Sequence, residues 1–244
     1  MNPAAVTIPP AWSSHTFLAE MVDEPLAVHE TDEAIVVEHD SRRGMAFIGV
    51  GEPAGIAELL SGLDPHRFTR GTMIRGTWEF LSEAVRAGFA FAATEDWDWM
   101  DADFVPEVPR ANQVRELDRV SERALIDPVR ERAIPDSYLS VDTPGSRWFG
   151  WVDTSGEVRA IGGATGWDGE RWNGAAHFGS IGTVPAFQGQ GIGSALTSGM
   201  AQIAFREGAT RVSLGVYAHN HRAIEIYRRL GFRTTYEINS RSRT

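Results

Sequence analysis

The sequence predicts an α/β protein made of two patterned regions, and three observations carry that prediction. Period-two and period-3.6 apolar patterns alternate along most of the 244 residues. A Pro-bearing stretch, Asp101-Ala-Asp-Phe-Val-Pro-Glu-Val-Pro-Arg110, separates the two regions as a linker. On each side of it the order strand, helix, strand, helix ends in a Gly-Phe step, EAVRAGF at 83–89 and IYRRLGF at 226–232, which reads as a weak internal repeat.

In the front region AIVVEHD and GMAFIGVG read as paired strands, PAGIAELLSGL as a helix and TMIRG as a short strand. TWEFLSEAVRAGF then reads as one helix ending at Gly88, and AFAATEDWDWM as a strand. After the linker, QVRELDRVSERALIDPVRERA is expected to be mainly helical, with Pro128 interrupting it. SRWFGWVD and VRAIGGATGW flank Asp153-Thr-Ser-Gly156, a hairpin turn signal, and AHFGSIGTV is the next strand, stopped by Pro185. Ile192, Leu196, Met200 and Ile203 mark one helix face. RVSLGVY is a buried-type strand. Ala223, Ile226, Tyr227 and Leu230 mark a last helix, with Asn220 as N-cap and Gly231 just past its end, and FRTTYEIN alternates as a final strand.

Composition removes several function classes. Hydrophobic residues at 42% and charged residues at 23% are globular values, and no run of 18 apolar residues predicts a membrane span. MNPAAVTIPPAW puts no basic region before an apolar stretch, and the first Arg is Arg42, so no secretory signal is expected and a cytoplasmic setting fits. The absence of cysteine excludes disulfides, thiolate metal sites and a cysteine nucleophile. All 23 basic residues are Arg; without Lys there is no Walker-type phosphate loop and no Schiff-base chemistry. The net charge of −10 is uneven, with 19 acidic residues against 7 Arg in 1–110 and 14 against 16 in 111–244. That acidic front argues against nucleic acid as a partner; it suits a cationic substrate or is simply a solvated face.

Residues 187–197, FQGQGIGSALT, place three glycines at the mouth of a helix. Across Gln188, Gly189, Gln190, Gly191, Ile192, Gly193 and Ser194, successive amides can point at a diphosphate. The helix N-terminus adds partial positive charge, and the glycines remove obstructing side chains. A flexible surface turn is the plain alternative. A dinucleotide-binding loop fits poorly, because Pro185 and Gln188 stand between strand and glycines and no acidic residue follows at about 20 positions.

Gln188-Gly-Gln-Gly-Ile-Gly193 matches the Q/R-x-x-G-x-G/A acyl-CoA loop of a known family. YAHNHRAIEIYRRLGF matches its second segment, N-x-x-A-x-x-x-Y-x-x-x-G-F, at Asn220, Ala223, Tyr227, Gly231 and Phe232. The pair, in this order and spacing, resembles the GNAT acetyltransferases over residues 145–239. The front region resembles the degenerate N-terminal lobe of two-lobed actinobacterial members. The resemblance implies a GNAT-type mixed, mostly antiparallel central sheet flanked by helices, preceded by a smaller partial GNAT-like α/β lobe. On that basis residues 1–105 are the degenerate lobe and linker, and 106–244 the acetyl-CoA-binding domain. It implies an N-acetyltransferase that moves an acetyl group from acetyl-CoA directly to an amine acceptor in a ternary complex, since no cysteine exists to carry it. The alternative is a non-catalytic acyl-CoA-binding or sensing module.

The resemblance also assigns roles. The family's splayed strand pair would free the amides of Ile181, Gly182, Thr183 and Val184 for the pantetheine arm and the thioester oxygen; an ordinary paired strand would free none. Tyr227 would face the cofactor and protonate the leaving thiolate, or be a packed core tyrosine. Asn220 would orient the cofactor arm, or only cap its helix. Many members carry a general-base Glu on the strand before the loop. Here no Asp or Glu lies between Trp172 and Glu207, which leaves His177, acting directly or through water, or a bland strand histidine. His219 and His221 diverge at a helix start, so no metal is expected. Trp148, Trp151, Trp167 and Trp172 either line an acceptor pocket or form core. Little chain follows TTYEIN, so the front lobe or a second copy, as in a homodimer, would cover that edge.

Overall fold

The structure, a computed structural model, describes residues 6–22, 24–41, 43–137 and 139–243. Along the front of the chain lie α1 (Thr16–Met21), β1 (Pro25–Glu30), β2 (Ala34–Ser41), β3 (Gly44–Gly51) and α2 (Pro53–Ser61). They are followed by β4 (Arg70–Ile74), α3 (Thr77–Phe80), α4 (Glu83–Phe89) and β5 (Ala93–Ala102). Next come β6 (Val114–Leu117), α5 (Arg123–Ala133), β7 (Arg147–Val152), β8 (Val158–Trp167) and β9 (Trp172–Thr183). The chain closes with α6 (Ile192–Arg206), β10 (Arg211–Tyr217), α7 (His221–Arg229) and β11 (Arg233–Ser242). Two compact units result: Met1–Trp99 with Tyr217–His219 and Tyr236–Thr244, and Met100–Val216 with Asn220–Thr235.

Within the first unit β1, β2 and β3 form an antiparallel meander, with Ala34 opposite Gly51 and Ser41 opposite Gly44. β3 then pairs with β4 in parallel, Ala46 opposite Arg70 through Gly49 opposite Met73, and α2 makes the crossover such a pair requires. On the far side of β4, residues Ile238–Ser242 of β11 pair antiparallel, so the end of the chain finds its strand partner in this unit. Ala34, Val36, Phe47, Ile56, Leu60, Phe68 and Phe89 form one buried cluster under α2 and α4. The segment TWEFLSEAVRAGF is two helices rather than one. Leu81 is extended (φ −74°, ψ 141°), and the Ser82 hydroxyl caps α4 by accepting from the Val85 amide at 3.3 Å.

The second unit has a similar meander and crossover, with one strand more, β6, and α5 between β6 and β7. β6, β7, β8 and β9 are antiparallel neighbours, and β10 joins β9 in parallel after the α6 crossover. Among the described pairings, each unit is thus mostly antiparallel with one parallel pair, as the fold class expects. Ala195, Leu196, Met200, Ala201 and Ala204 of α6 pack into a core with Phe149, Ala164, Phe178 and Leu214. Two local expectations fail. Val114–Leu117 is a strand, with Val114 and Leu117 turned inward and Arg115 and Glu116 outward. Pro128 lies inside α5 rather than ending it. Its missing N–H deprives one carbonyl of a partner, yet Ile126 and Val129 on either side are buried with Trp148 and Ile161, and that packing holds the helix.

The linker is no loose tether. Val105 is fully buried, the Ser198 hydroxyl donates to the Pro106 carbonyl (2.7 Å) and accepts from the Val108 amide (3.3 Å), and the Gln202 amide donates to the Val105 carbonyl (2.7 Å). Residues 103–110 are a strap laid along α6. Among the described residues no helix is long and apolar enough to cross a membrane.

Candidate active site

The loop between β9 and α6 is built in two halves. Its first half is a tight turn in which the Phe187 amide donates to the Val184 carbonyl (2.8 Å) and the Gln188 amide to the Pro185 carbonyl (3.2 Å). The Gln188 side chain donates to the Thr183 carbonyl at 3.1 Å. Gln188 therefore buttresses the loop, and its amide is not one of the free donors the sequence suggested. The second half begins at Gly189, where φ is +78°, and Gly191 follows at +76°, a left-handed conformation that L side chains resist. The first intrahelical bond of α6 runs from the Ala195 amide to the Gly191 carbonyl (3.0 Å). The amides of Ile192, Gly193 and Ser194 accordingly have no intrahelical acceptor and present the positive end of a 15-residue helix.

β9 and β10 separate five residues before β9 ends. Their parallel pairing runs from Ala175 opposite Arg211 to Phe178 opposite Leu214 and goes no further. At the same place β9 bulges: Gly163 of β8 faces Gly179, but Ile161 faces Gly182, so β9 carries one extra residue. Ser180, at φ +55°, sits in that bulge, its hydroxyl bonded to that of Ser137. Beyond it the antiparallel ladder with β8 resumes, and the Val184 amide donates to the Arg159 carbonyl at 2.9 Å. Ladder bonds alternate along such a pair, so Gly182 faces β8 as Val184 does, while the amides of Ile181 and Thr183 face the gap. Of the four candidate oxyanion donors, two remain. Val184 and Gly182 are spent on the sheet.

α7 forms the facing wall. The Asn220 side chain accepts from the Ala223 amide at 3.1 Å and so caps the helix. Tyr227 is nearly buried, with its ring centroid 5.8 Å from that of Phe232. A cleft of about 690 Å³ opens between these elements. Ile181, Gly182, Thr183, Gln188, Gly189, Gly191, Ile192, Gly193, Ser194, Asn220 and Tyr227 line it; Val184, Gln190 and His177 do not. The sequence reading missed Ala133 and Ile134, where α5 ends so close to β9 that a Cβ on Gly182 would come within 2.5 Å of Ile134. It also missed Arg222, which lies 3.8 Å from where a Cβ on Gly189 would be and has no ion pair among the described residues. A cation in the first turn of a helix opposes the helix dipole, a local signal that was available in NHRAIEIY.

His177 lies four residues before Ile181, roughly 13 Å along an extended strand. Its Nδ1 is 3.0 Å from the Ser213 hydroxyl across the parallel pair, and burial pushes its pKa down to about 4. It is neutral at pH 7 and out of direct reach of the cleft. The tryptophans are packing groups. Trp148, Trp151 and Trp172 are buried, and the Arg147 guanidinium stacks 4.6 Å from the ring centre of Trp167 and 5.1 Å from that of Trp172. His219 stacks on Tyr217 and lies 3.5 Å from Glu95, and among the described residues no group of three metal-ligating side chains occurs.

The model of a family described as acetyltransferase (GNAT) matches residues 111–232. Solved structures are similar over almost the whole chain. A protein assigned to the GNAT family from Novosphingobium aromaticivorans is 18% identical, with 95% of each chain covered and a TM-score of 0.54. A GCN5-related N-acetyltransferase from Kribbella flavida is 16% identical over 96% of this chain and 94% of its own, with a TM-score of 0.56. One from Sphaerobacter thermophilus is 16% identical over 86% and 76%, with a TM-score of 0.55. At these identities the likeness is one of fold. None of the curated proteins compared with the chain matches it.

Proposed function

The chain belongs to the acetyltransferase (GNAT) family, and on that premise we propose that it transfers an acetyl group from acetyl-CoA directly to an amine within a ternary complex. One observation carries the reading. The unbonded amides at the head of α6, the gap beyond Leu214 and Tyr227 all border the same cleft. The diphosphate lies against the amides of Gly189, Gly191, Ile192, Gly193 and Ser194, beside Arg222, and the pantetheine arm enters the gap between β9 and β10. The amine attacks the thioester carbon, and negative charge grows on the carbonyl oxygen. The amides of Ile181 and Thr183 are the donors placed to meet it, each such donor contributing about 3–4 kcal/mol. The carbon–sulfur bond breaks, the thiolate takes the Tyr227 proton, and the new amide's surplus proton passes to solvent, from which Tyr227 is recharged. His177 enters no step by direct contact.

The test is thiol release from acetyl-CoA against a panel of small amines, peptides and proteins. Turnover with one class identifies the acceptor. A second reading, a binding module without acceptor chemistry, has one observation in its favour: the sole carboxylate lining the cleft among the described residues, Glu225, is paired with Arg229 at 2.9 Å. Saturable binding of acetyl-CoA with no turnover across the panel would establish that reading instead.

A further inference from the structure

Arg110 ends the strap on α6 and reaches the glycine loop 80 residues further on, where its Nη2 donates to the Gln190 carbonyl. Several contacts fix it there. Its backbone is left-handed (φ +69°), a conformation unfavourable for an arginine, and the Trp151 indole N–H donates to its carbonyl at 3.1 Å. The guanidinium lies 5.6 Å from the Trp151 ring centre. Ala111, the next residue, is pressed on α6 so closely that a Cβ on Gly199 would come within 2.6 Å of its carbonyl. Packing of this kind holds a strained backbone only where the surroundings over-determine it.

Gln190 stands between the two left-handed glycines. Its carbonyl is a polar group of opposite sign lying between donors that must converge on an anion. A carbonyl free to rotate inward would repel a diphosphate and compete for the same amides. We propose that Arg110 is a positioning residue for the acyl-CoA diphosphate, holding the Gln190 carbonyl out of the anion site so that the loop amides converge. It acts through Gln190 and touches no reacting atom. This rests on the acetyl-CoA reading above. It adds to the site a residue outside both sequence motifs, and makes the strap part of the donor site.

The test compares wild type with Arg110→Ala and Arg110→Lys. Calorimetry with acetyl-CoA comes first, then steady-state kinetics with the best amine of the panel. Arg110→Ala is expected to weaken acetyl-CoA binding roughly 10- to 100-fold, the range for a charged hydrogen bond. The KM for acetyl-CoA rises with it, while kcat and the KM for the amine stay within about twofold, because the reacting end of the cleft is untouched. Arg110→Lys, which keeps a donor and a charge, is expected to recover most of the loss. Unchanged acetyl-CoA affinity in a folded Arg110→Ala protein overturns the proposal while leaving the acetyl-CoA reading intact. So does a fall in kcat together with a comparable rise in the KM for the amine, which would mark general damage. A wild-type protein that binds no acetyl-CoA overturns the functional reading, and this proposal with it.

Discussion

Tyr227 and Asn220 line the same wall of the cleft and are expected to fail differently when changed. Tyr227→Phe keeps the ring against Phe232 and removes the hydroxyl with its proton, so acetyl-CoA affinity should hold while the single-turnover rate falls about 10²-fold. An unchanged chemical step would remove Tyr227 as the acid. Asn220→Ala should cost about 1 kcal/mol of unfolding free energy, measured in urea, with acetyl-CoA affinity nearly unaltered, because the side chain is already committed to the Ala223 amide. His177 has a pH signature instead. Its folded pKa, about 4, is below the ordinary value of 6.5, so between those values the unfolded chain binds the proton and the folded one does not. Stability then falls as pH drops from about 6.5 towards 4, burial of His15 and His39 adding in the same direction. His177→Gln should flatten that slope and leave catalysis near neutrality unchanged. At this scale the legible residues were those whose job is set by near neighbours in the chain: Gly189, Gly191, Asn220 and Gly231. Val184 was misread because its amide is claimed by Arg159, a partner that only strand register reveals. Arg110 was invisible because nothing within 80 residues of it announces Gln190.

At the scale of elements, the two lobes differ in what joins strand to helix. Between β9 and α6 the chain spends Val184 to Gly191 on a turn and a glycine loop, whereas between β3 and α2 it spends a single residue, Glu52. The Glu52 amide is bonded to the Glu33 carbonyl at 2.9 Å, and Pro53 brings no N–H to the first turn of α2. A carboxylate therefore stands where the other lobe offers amides. Titration calorimetry should saturate at one acetyl-CoA per chain, and a stoichiometry of two would refute this account. Strand positions were legible almost throughout, since alternation and the Asp153 turn are local signals. Misreadings clustered where tertiary packing outranks propensity. Examples are Ser82 starting a second helix, Val114–Leu117 pairing with β7, and Pro128 carried inside α5 by its buried neighbours.

At the scale of the whole molecule, a strand–helix–strand crossover recurs in both units, and the repeat glimpsed in two Gly-Phe steps has a structural counterpart in the parallel pairs β3–β4 and β9–β10. What differs is how the second pair ends. Its strands part above Leu214, and the donors left facing the gap have no partner in the sheet. On the acetyl-CoA reading, the extended, amide-bearing pantetheine arm would supply acceptors that a neighbouring strand would otherwise provide. Cofactor binding should therefore act as a folding term. At acetyl-CoA concentrations 100 times Kd, linkage predicts about 2.7 kcal/mol of added stability, visible as a rise in Tm that grows with ligand concentration. The same closure should be readable proton by proton. In the empty protein the Ile181 and Thr183 amides should exchange with deuterium from the solvent far faster than their ladder-bonded neighbours Gly182 and Val184. Once the cofactor is seated, all four should exchange slowly together, and the strand edge at the centre of the chemistry becomes, for that time, the interior of a sheet.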